Sequence, residues 1–546
     1  MPLSRSREIL EFPNLRPHWA YLFMKKPLLL IIGVLLAVVT HAQTEGLSAA
    51  QLISLAKTGD PVARVKLSLI SNSGGKEPAS EIQKARWYEE AAEQNNNVSQ
   101  YKLGLMYESG VGAAKDPNEA LYWFRKSAER GNNAAQFKLG RYYTAGEIVT
   151  KNSVEAALWY RKSAEQGNFE AQRELGFILL NGVGVAKEVP QAVQWLLKAA
   201  EKGDVTSQDK LGYLFKLAKK PNDSARWYRK AAEQGLASAQ YQLALMCERG
   251  EGTSKDAFET VQWLQKAADQ NLAEAQTLLG QKYAMGEGIT KNNTEAVNWY
   301  RKATQLGSTS ALCNLGFMYA TGSGVAKNPT EALNYFQKSA ELGNALGQVN
   351  LGILYQTGKG VRQDYFEAAK WYHKAALQGN ESAQYNLGLL YESGTGLTKD
   401  SAEAVRWIRM AADRGHAPAQ INLGARYAIG DGVPKDLVEA HIYFNLANTT
   451  LPSAKGNPTA QRNMSLIERD MTGEQRAKAM ELARGRFANT PKAEAPAAGT
   501  PAPAAAAPTA AVTPKPLTAK VAAERAAPPP KAGGSLSESA ATASAN

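Results

Sequence analysis

An amphipathic pattern of leucine, glycine and tyrosine recurs along this chain and predicts repeated helices. In its first clear copy, Leu103 is followed by Gly104 and, three residues later, by Tyr107. Leucine and tyrosine four residues apart lie on one face of a helix, so each copy supplies one apolar stripe. The leucine–glycine pair recurs at Leu139, Leu175, Leu211, Leu279, Leu315, Leu351, Leu387 and Leu423.

Tryptophan marks the same period. Nine of the ten tryptophans follow a step of 36 residues, with one step of 32 residues between Trp195 and Trp227, and Tyr335 fills the missing position. A period between about 20 and 50 residues is typical of repeat proteins, in which each unit buries its apolar face on its neighbours. The sequence therefore predicts an all-α fold, an α-solenoid built as a superhelical stack of about eleven helix–loop–helix repeats.

Polar residues predict where the second helix of each repeat begins and ends. Asp116 supplies an N-cap acid, a proline follows at the first helical position, and Glu119 stands three residues after the cap. Gly131 is suited to end the helix, because a left-handed residue closes many helices and glycine adopts that conformation readily. Asn95 and Asn271 replace glycine in this register, which favours a helix stop over a catalytic loop. The N-cap residue recurs at Asn152, Asp256, Asn292, Asn328, Asp364, Asp400 and Asp436.

Two local features predict how the helices pack. A glycine inside a helix costs about 1 kcal/mol relative to alanine, so the glycine after each repeat leucine predicts that another helix backbone approaches closely there. The fifth repeat lacks its Gly-x-Gly loop between Leu217 and Pro221. A loop that is four residues shorter accounts for the 32-residue step and keeps both helices in register.

The repeating unit resembles the Sel1-like repeat, a variant-length relative of the tetratricopeptide repeat. The resemblance rests on Leu-Gly-x-x-Tyr, the Gly-x-Gly loop and the phrase Glu-Ala-x-x-Trp-Tyr-x-Lys-Ala-Ala-Glu-Gln-Gly, and it covers roughly residues 45–485. It implies that the helices near the C-terminal end form a terminal capping segment, since the end of a stack needs a polar cap for solubility. Thr472 and Gln475 are predicted to be a helix N-cap pair in that segment.

The chain is predicted to contain four segments. Residues 1–42 comprise an N-terminal extension and a signal peptide, with an apolar h-region over residues 27–39 and Met24 as an alternative start. The Sel1-like repeat solenoid spans residues 45–451, and the C-terminal capping helices span residues 452–488. Residues 489–546 are rich in alanine and proline, cannot bury a core and are predicted to be a disordered tether or spacer.

Charge and residue spacing argue against several classes of function. The net charge of +12 is spread thinly over 546 residues without a Lys/Arg cluster, so no nucleic-acid partner is expected. The Gly-x-Gly loops stand between two helices, whereas a phosphate-binding loop joins a strand to a helix. Of the five histidines, His18 and His41 would be removed with the signal peptide. The others, His373, His416 and His441, stand singly without the spacing of metal ligands and are predicted to be surface or rim residues rather than part of a metal site.

A lysine follows most of the repeat tryptophans, as Lys162 follows Trp159, and an acid such as Glu165 stands three residues further on. Opposite charges three residues apart are neighbours on a helix surface. The lysines are therefore predicted to be largely neutralised by ion pairs on a solvated helix face. They are Lys126, Lys162, Lys198, Lys230, Lys266, Lys302, Lys338 and Lys374.

The two cysteines are predicted to be free. Cys247 occupies the position of Tyr107, which is a core position, and Cys313 stands two repeats further along. Packed helices lie about 8–10 Å apart, whereas a disulfide needs Cα atoms within about 7 Å. The cysteine-rich, secreted Sel1-type proteins, with which a β-lactamase or penicillin-binding activity is associated, are stapled in each unit. The lack of paired cysteines argues against that activity in this chain.

The variable positions of the first helix are the candidate binding residues. Slot 1 lies two residues before the repeat leucine, and slot 2 lies directly after the repeat glycine. In tetratricopeptide-like arrays the first helix lines a concave groove, so aromatic and apolar residues there would contact a peptide or protein ligand. The alternative is that these residues pack between adjacent first helices. The candidates are Tyr101, Phe137, Tyr241 and Tyr385 in slot 1 and Leu105, Arg141, Phe177, Tyr213 and Phe317 in slot 2.

The sequence predicts a non-catalytic scaffold or adaptor that is periplasmic or secreted and binds a protein or peptide partner in its groove. No metal, cofactor or nucleic acid is expected. No stable membrane insertion is expected after signal cleavage, because the h-region is shorter than the roughly 20 residues of a membrane span; an uncleaved membrane anchor is the alternative. Two alternatives stay open: a cysteine-poor relative of the Sel1-type β-lactamase or penicillin-binding hydrolases, and a structural spacer associated with the cell wall.

Overall fold

The computed structural model describes residues 81–450 and 456–489. Within these residues it contains 23 α-helices, one 3₁₀ helix and no strand, which confirms the predicted all-α stack of repeats. The chain divides into two compact units, residues 1–263 and residues 264–546. The predicted signal peptide over residues 1–42 and the predicted tail after residue 489 lie outside the described residues.

The first unit contains ten complete helices and the start of an eleventh. Even-numbered helices are the first helices of the repeats, and odd-numbered helices are the second helices. The bounds are α1 Glu81–Glu93, α2 Asn97–Ser109, α3 Pro117–Glu129, α4 Asn133–Ala145, α5 Ser153–Glu165, α6 Phe169–Asn181, α7 Val189–Glu201, α8 Val205–Leu217, α9 Pro221–Glu233, α10 Ala237–Arg249 and α11 Ala257–Asp269.

The second unit begins within α11 and continues the alternation of first and second helices. Its repeats end at α21, after which two further helices and the 3₁₀ helix Glu468–Asp470 follow. The bounds are α12 Ala273–Met285, α13 Asn293–Gln305, α14 Thr309–Thr321, α15 Pro329–Glu341, α16 Ala345–Thr357, α17 Tyr365–Leu377, α18 Glu381–Ser393, α19 Ser401–Asp413, α20 Ala417–Ile429, α21 Leu437–Thr450, α22 Pro458–Ile467 and α23 Gly473–Asn489.

Side-chain caps begin the helices where the sequence predicts them. The Asp116 carboxylate accepts hydrogen bonds from the backbone N–H groups of Asn118 (2.9 Å) and Glu119 (3.2 Å) at the start of α3. These bonds satisfy donors that a helix leaves unpaired at its first turn. The same pair of bonds is present at Asn152, Asp256, Asn292, Asn328, Asp364, Asp400 and Asp436.

The turns that end the second helices are left-handed, as predicted. Gly131 has φ +88°, and the two residues that replace glycine, Asn95 and Asn271, have φ +66° and +62°. Asparagine tolerates this conformation better than other residues with a side chain, because its short amide bonds locally to the backbone. The interpretation of these positions as helix stops is therefore confirmed.

The repeat glycine leaves room for a side chain of the second helix. A Cβ built on Gly140 would lie 2.6 Å from Cδ1 of Tyr160, and one built on Gly104 would lie 2.7 Å from Cε1 of Phe124. The close approach of the second helix is thus as predicted, but its nearest atoms there belong to a ring rather than to the backbone. That ring is the residue directly after the tryptophan.

We expect that Gly140→Ala lowers the stability of the protein although alanine is the better helix former. The new methyl group would overlap Tyr160, and overpacking a core typically costs about 1–3 kcal/mol, against about 1 kcal/mol gained in helix propensity. Urea unfolding followed by circular dichroism measures the difference. Gly485→Ala is the matched control, because a Cβ added to Gly485 in α23 would have no atom within 4 Å; this variant should be neutral or stabilised. Equal effects of the two substitutions would contradict the packing argument.

A row of buried glutamines joins the first helices to the second helix before them, except at α14, where Leu312 takes the place of the glutamine. Gln136 in α4 donates from Nε2 to the carbonyl of Ala128 in α3 at 3.1 Å. The Ala128 carbonyl also accepts from the N–H of Gly131 at 3.0 Å. Because a buried amide without a partner is costly, the glutamine bond links the two helices. These bonds were not predicted from the sequence, because a glutamine in an amphipathic helix is expected to face solvent. The other members are Gln100, Gln172, Gln208, Gln240, Gln276, Gln348, Gln384 and Gln420.

The fifth repeat has the shortened loop that the 32-residue step predicts. Only residues 218–220 separate α8 from α9, whereas residues 110–116 separate α2 from α3. Lys219 takes the left-handed conformation in this turn with φ +55°, in place of a glycine. Both helices of the repeat keep the same 13-residue length as their neighbours, so the deletion is confined to the turn.

Two helices cover the end of the second unit. The N–H of Thr472 donates to Oε1 of Gln475 at 2.9 Å, and the N–H of Gln475 donates to the Thr472 hydroxyl at 3.1 Å, which confirms the predicted cap pair of α23. Arg486 of α23 forms a bidentate ion pair with Glu439 of α21 at 2.7 and 2.8 Å. These bonds attach α23 to the last repeat helix.

One histidine prediction is wrong. His441 was expected at the surface, but its side chain is 1% exposed in α21. Its Nε2 lies 2.9 Å from Oε1 of Glu468 in the 3₁₀ helix. The helices that follow the last repeat cover this position, which is why its place in the repeat alone gave the wrong exposure.

Candidate binding surface

The slot 1 residues of the first unit are half-buried: each is partly open to solvent and partly packed inside its repeat. The Tyr101 ring centroid lies 5.6 Å from that of Phe124, and the Phe137 centroid lies 5.7 Å from that of Tyr160. Each of these two slot 1 rings therefore contacts the second helix of its own repeat while staying half-buried. Tyr241 is half-buried as well.

Slot 1 of the second unit is buried throughout. The Tyr385 ring centroid lies 5.0 Å from that of His416, the residue that caps the next first helix, α20. The hydroxyl of Thr277 lies 2.9 Å from that of Ser308, which caps α14. Packing between neighbouring repeats, one of the two interpretations of the variable positions, thus describes slot 1 in this unit. The buried members are Thr277, Cys313, Val349, Tyr385 and Ile421.

Slot 2 contains the more exposed residues. Tyr213 is 45% exposed in the first unit and Phe317 is 37% exposed in the second. Arg141 is exposed, while Leu105 and Phe177 are half-buried. Slot 2 therefore holds large side chains that the repeat packing does not cover.

An open cavity of about 520 Å³ lies between the first helices α4 and α6 of the first unit. Two candidate residues, Phe137 and Arg141, line it together with Tyr160 of the intervening helix α5. The Tyr160 hydroxyl lies 3.2 Å from that of Thr144, which itself donates to the carbonyl of Gly140 at 2.8 Å. The cavity thus has aromatic and hydroxyl groups on its wall. The charged residues that line it are Arg141, Glu170, Arg173 and Glu174.

Two of these charges are already paired. Arg173 forms ion pairs with Glu174 at 2.8 Å and with the buried Asp204 at 3.0 Å. Asp204 also accepts from the N–H of Ser207 at 2.8 Å, so the arginine is attached to the start of α8. Arg141 and Glu170 have no hydrogen-bond or ion-pair partner among the residues that the structure describes. The cavity therefore offers one unpaired cation and one unpaired anion.

The neighbouring first helices α2 and α4 are held together by a shared carboxylate. Glu108 of α2 accepts from Nζ of Lys138 at 2.6 Å and from the hydroxyl of Tyr142 at 3.0 Å. Burial, followed by this hydrogen bond, raises the pKa of Tyr142, since both favour the neutral phenol that donates to Glu108. The wall of the cavity that α4 provides is therefore fixed in position.

Comparison with known families decides the identity of the repeats. The Sel1 repeat model matches eleven consecutive segments of the chain, at residues 85–96, 97–132, 133–168, 169–204, 207–236, 237–272, 273–308, 309–344, 345–380, 381–416 and 417–448. These segments cover more than half of the sequence. The chain belongs to the Sel1 repeat family.

One solved structure supports this assignment, and a second is similar over part of the chain. A protective antigen present in uropathogenic Escherichia coli strains, which displays an SLR fold, is 30% identical to this Sel1 repeat protein. The alignment covers 91% of this chain and 100% of the antigen, with a TM-score of 0.64. A Sel1 repeat protein from Oxalobacter formigenes is 28% identical over 58% of this chain and 94% of its own, with a TM-score of 0.45. No curated protein shows significant similarity to the sequence.

The cavity of this Sel1 repeat protein includes residues that the sequence did not single out. Glu170 lies in the first turn of α6, outside both variable slots, and Tyr160 follows Trp159 in a second helix. A contact across three helices is not visible from the spacing within one helix. The usable signal was the large apolar residue that follows each repeat tryptophan and is aromatic in most repeats, because it packs against the repeat glycine.

The lysines of the second helices make a different contact from the predicted one. The Nζ of Lys162 lies 4.2 Å from the ring centroid of Trp159, and that of Lys302 lies 3.9 Å from the centroid of Trp299. Lysine and tryptophan three residues apart share a helix face, and the ring attracts the ammonium by a cation–π interaction. The tryptophan ring thus takes the place of the acid three residues further on. The other such lysines are Lys198, Lys230 and Lys374.

Both cysteines of the Sel1 repeat protein are buried free thiols, as predicted. Burial raises the pKa of the Cys313 thiol to about 12, so it stays protonated at physiological pH. Among residues 81–450 and 456–489, no three His, Cys, Asp or Glu side chains cluster as metal ligands would. No helix in this part of the chain is long and apolar enough to cross a bilayer; the predicted h-region over residues 27–39 lies outside it.

Proposed function

We propose that this Sel1 repeat protein is a non-catalytic scaffold that binds a protein or peptide partner on the first helices of its repeats. The observation that carries the proposal is slot 2, where Arg141, Tyr213 and Phe317 are exposed on an otherwise regular stack. Aromatic residues and arginine are enriched among the residues that dominate binding energy at protein interfaces. The large exposed residues of slot 2 are of these types.

We further propose that the protein acts in the periplasm or outside the cell. A basic segment at Lys25 and Lys26, the apolar residues 27–39 and small residues up to Ala42 have the order of a secretory signal. The structurally similar antigen comes from a bacterium, where such a signal directs export to the envelope. An adaptor in the envelope would bind its partner outside the cytoplasm.

Photo-crosslinking in the native host tests the binding surface. A benzophenone amino acid placed at Tyr213 or at Phe317 is expected to capture a discrete protein partner, because both side chains are exposed on first helices. The captured band should be identified by mass spectrometry. In a second variant, the crosslinker replaces Arg141 and serine replaces both Tyr213 and Phe317. The captured band should be absent from this variant.

Two exposed phenylalanines of the second helices are matched controls. Phe258 is 64% exposed at the start of α11, and Phe366 is 61% exposed at the start of α17. The benzophenone at these positions should not capture the same partner, since they lie outside the first-helix surface. Equal capture from first and second helices would reject the first-helix surface as the binding site.

A further inference from the structure

The cavity between α4 and α6 has a charge arrangement that restricts what it can hold. Arg141 and Arg173 contribute two positive charges, and Glu170 and Glu174 contribute two negative charges. Arg173 is engaged by Glu174 and Asp204 within 3.0 Å. The residues still open to a ligand are thus one guanidinium on α4 and one carboxylate on α6.

This arrangement disfavours a ligand with charge of one sign only. A phosphate or another multiply charged anion would be attracted by Arg141 but repelled by Glu170 and Glu174, and a purely basic ligand would meet Arg141 and Arg173. A ligand that carries both an acidic and a basic group satisfies Arg141 and Glu170 together. Complementary charges across an interface chiefly determine specificity, because a like-charge contact excludes the wrong partner.

The uncharged wall of the cavity suits a peptide segment. The rings of Phe137 and Tyr160 offer apolar faces for a side chain between the two charges. Thr144 donates to the Gly140 carbonyl and lies 3.2 Å from the Tyr160 hydroxyl, whose oxygen can accept from a main-chain N–H. The volume of about 520 Å³ falls in the range of about 300–1,000 Å³ that small-ligand sites occupy.

We infer that this cavity binds a peptide segment of the partner in which an acidic and a basic side chain flank an apolar residue. The acidic side chain pairs with Arg141, the basic side chain pairs with Glu170, and the apolar residue packs on Phe137 and Tyr160. The inference rests on the proposed function and adds the chemistry of the partner. A free zwitterionic amino acid offers the same two charges without the flanking main chain.

A synthetic peptide array tests this inference with the full chain. The array contains acetylated and amidated heptapeptides in which an acid and a base flank Leu or Phe in both orders, together with peptides that lack one or both charges. We expect the peptides with both charges to bind most tightly. Arg141→Glu and Glu170→Lys should each weaken their binding about tenfold, which corresponds to about 1.4 kcal/mol. Anisotropy titrations of the selected peptides measure these changes.

The charge-exchanged double variant provides the sharpest control. Arg141→Glu combined with Glu170→Lys should recover binding for peptides in which the acid and the base are exchanged. Arg161→Glu alters the net charge equally on an exposed residue outside the cavity, and it should leave binding unchanged.

Three outcomes would overturn the inference: equal binding of peptides without charges, binding unaffected by both single variants, or competition by free amino acids at the same concentration as the peptides. Any of these outcomes rejects the inference about the cavity but not the proposed function, which the crosslinking at Tyr213 and Phe317 tests separately. Absence of crosslinking would reject the proposed function whatever the array shows.

Discussion

Replacing Phe124 by alanine is expected to lower the free energy of unfolding by about 3–5 kcal/mol, the range typical of buried phenylalanines. The Phe124 side chain is completely buried, and its ring lies against Gly104, where no Cβ could be accommodated. Its centroid is also within 6.0 Å of Tyr142 in the following repeat. The substitution leaves a cavity between α2, α3 and α4, and the Gln136 bond holds α3 and α4 at their present distance.

Phe258 is the matched control, since it is a phenylalanine in a second helix of the same unit but is 64% exposed. Phe258→Ala is expected to change stability by no more than about 0.5 kcal/mol, as exposed substitutions usually do. Chemical unfolding followed by circular dichroism compares both variants with the unchanged protein. A loss for Phe124→Ala no larger than the loss for Phe258→Ala would show that the aromatic contact does not hold the repeat together.

Acidification from pH 6.5 to pH 4 is expected to destabilise the second unit through His416. Burial lowers the pKa of His416 to about 4, and its Nδ1 accepts a hydrogen bond from the N–H of Ala419 at the start of α20. The unfolded chain, with a pKa near 6.5, takes up a proton in this window while the folded chain does not. The stabilising effect of neutral His416 is therefore complete above pH 6.5 and is lost as the pH falls towards 4. We expect a loss of about 1–3 kcal/mol, less than the full shift implies because the residue keeps some solvent contact.

Asparagine provides the control for this effect. Asn344 and Asn380 occupy the same N-cap position in the two preceding repeats and accept from the corresponding backbone N–H. His416→Asn should therefore preserve the cap and remove the part of the pH dependence that belongs to His416. The other histidines are present in both the unchanged protein and the His416→Asn variant. The loss of unfolding free energy between pH 7 and pH 4.5 is measured for each protein, and the difference between the two losses is the contribution of His416. Identical pH profiles would exclude His416 as the source.

Capping chemistry explains why the helices could be predicted from the sequence. Asp116 marks the start of α3 and Gly131 its end, because each residue satisfies a backbone requirement that depends only on local conformation. Asn95 and Asn271 extended the rule, since they take the left-handed conformation that glycine takes elsewhere. The solenoid then follows from the regular alternation of these signals.

Packing between helices explains what the sequence left undecided. The tryptophans mark the period, yet the residue after most of them is the more completely buried: Phe124 is 0% exposed while Trp123 is only half-buried. Each lysine has two neighbours on its helix face, the tryptophan three residues before it and the acid three residues after it. The sequence does not show which of them is partly desolvated, and in the fold the lysine contacts the tryptophan ring. The cavity required three helices to be placed together, so Arg141 could be proposed from its slot but Glu170 could not.

The glutamine row has a consequence for how such a chain can grow. Gln136 bonds to a main-chain carbonyl, and every residue type presents that acceptor. A repeat that is copied, removed or exchanged by recombination therefore meets a compatible neighbour without any matching change in a partner side chain. Lengthening the stack therefore needs no matched pair of side chains, and α14, which has Leu312 in place of the glutamine, stacks in the same way. Repeat number is for this reason easier to change in evolution than the pairing of two specific side chains would allow.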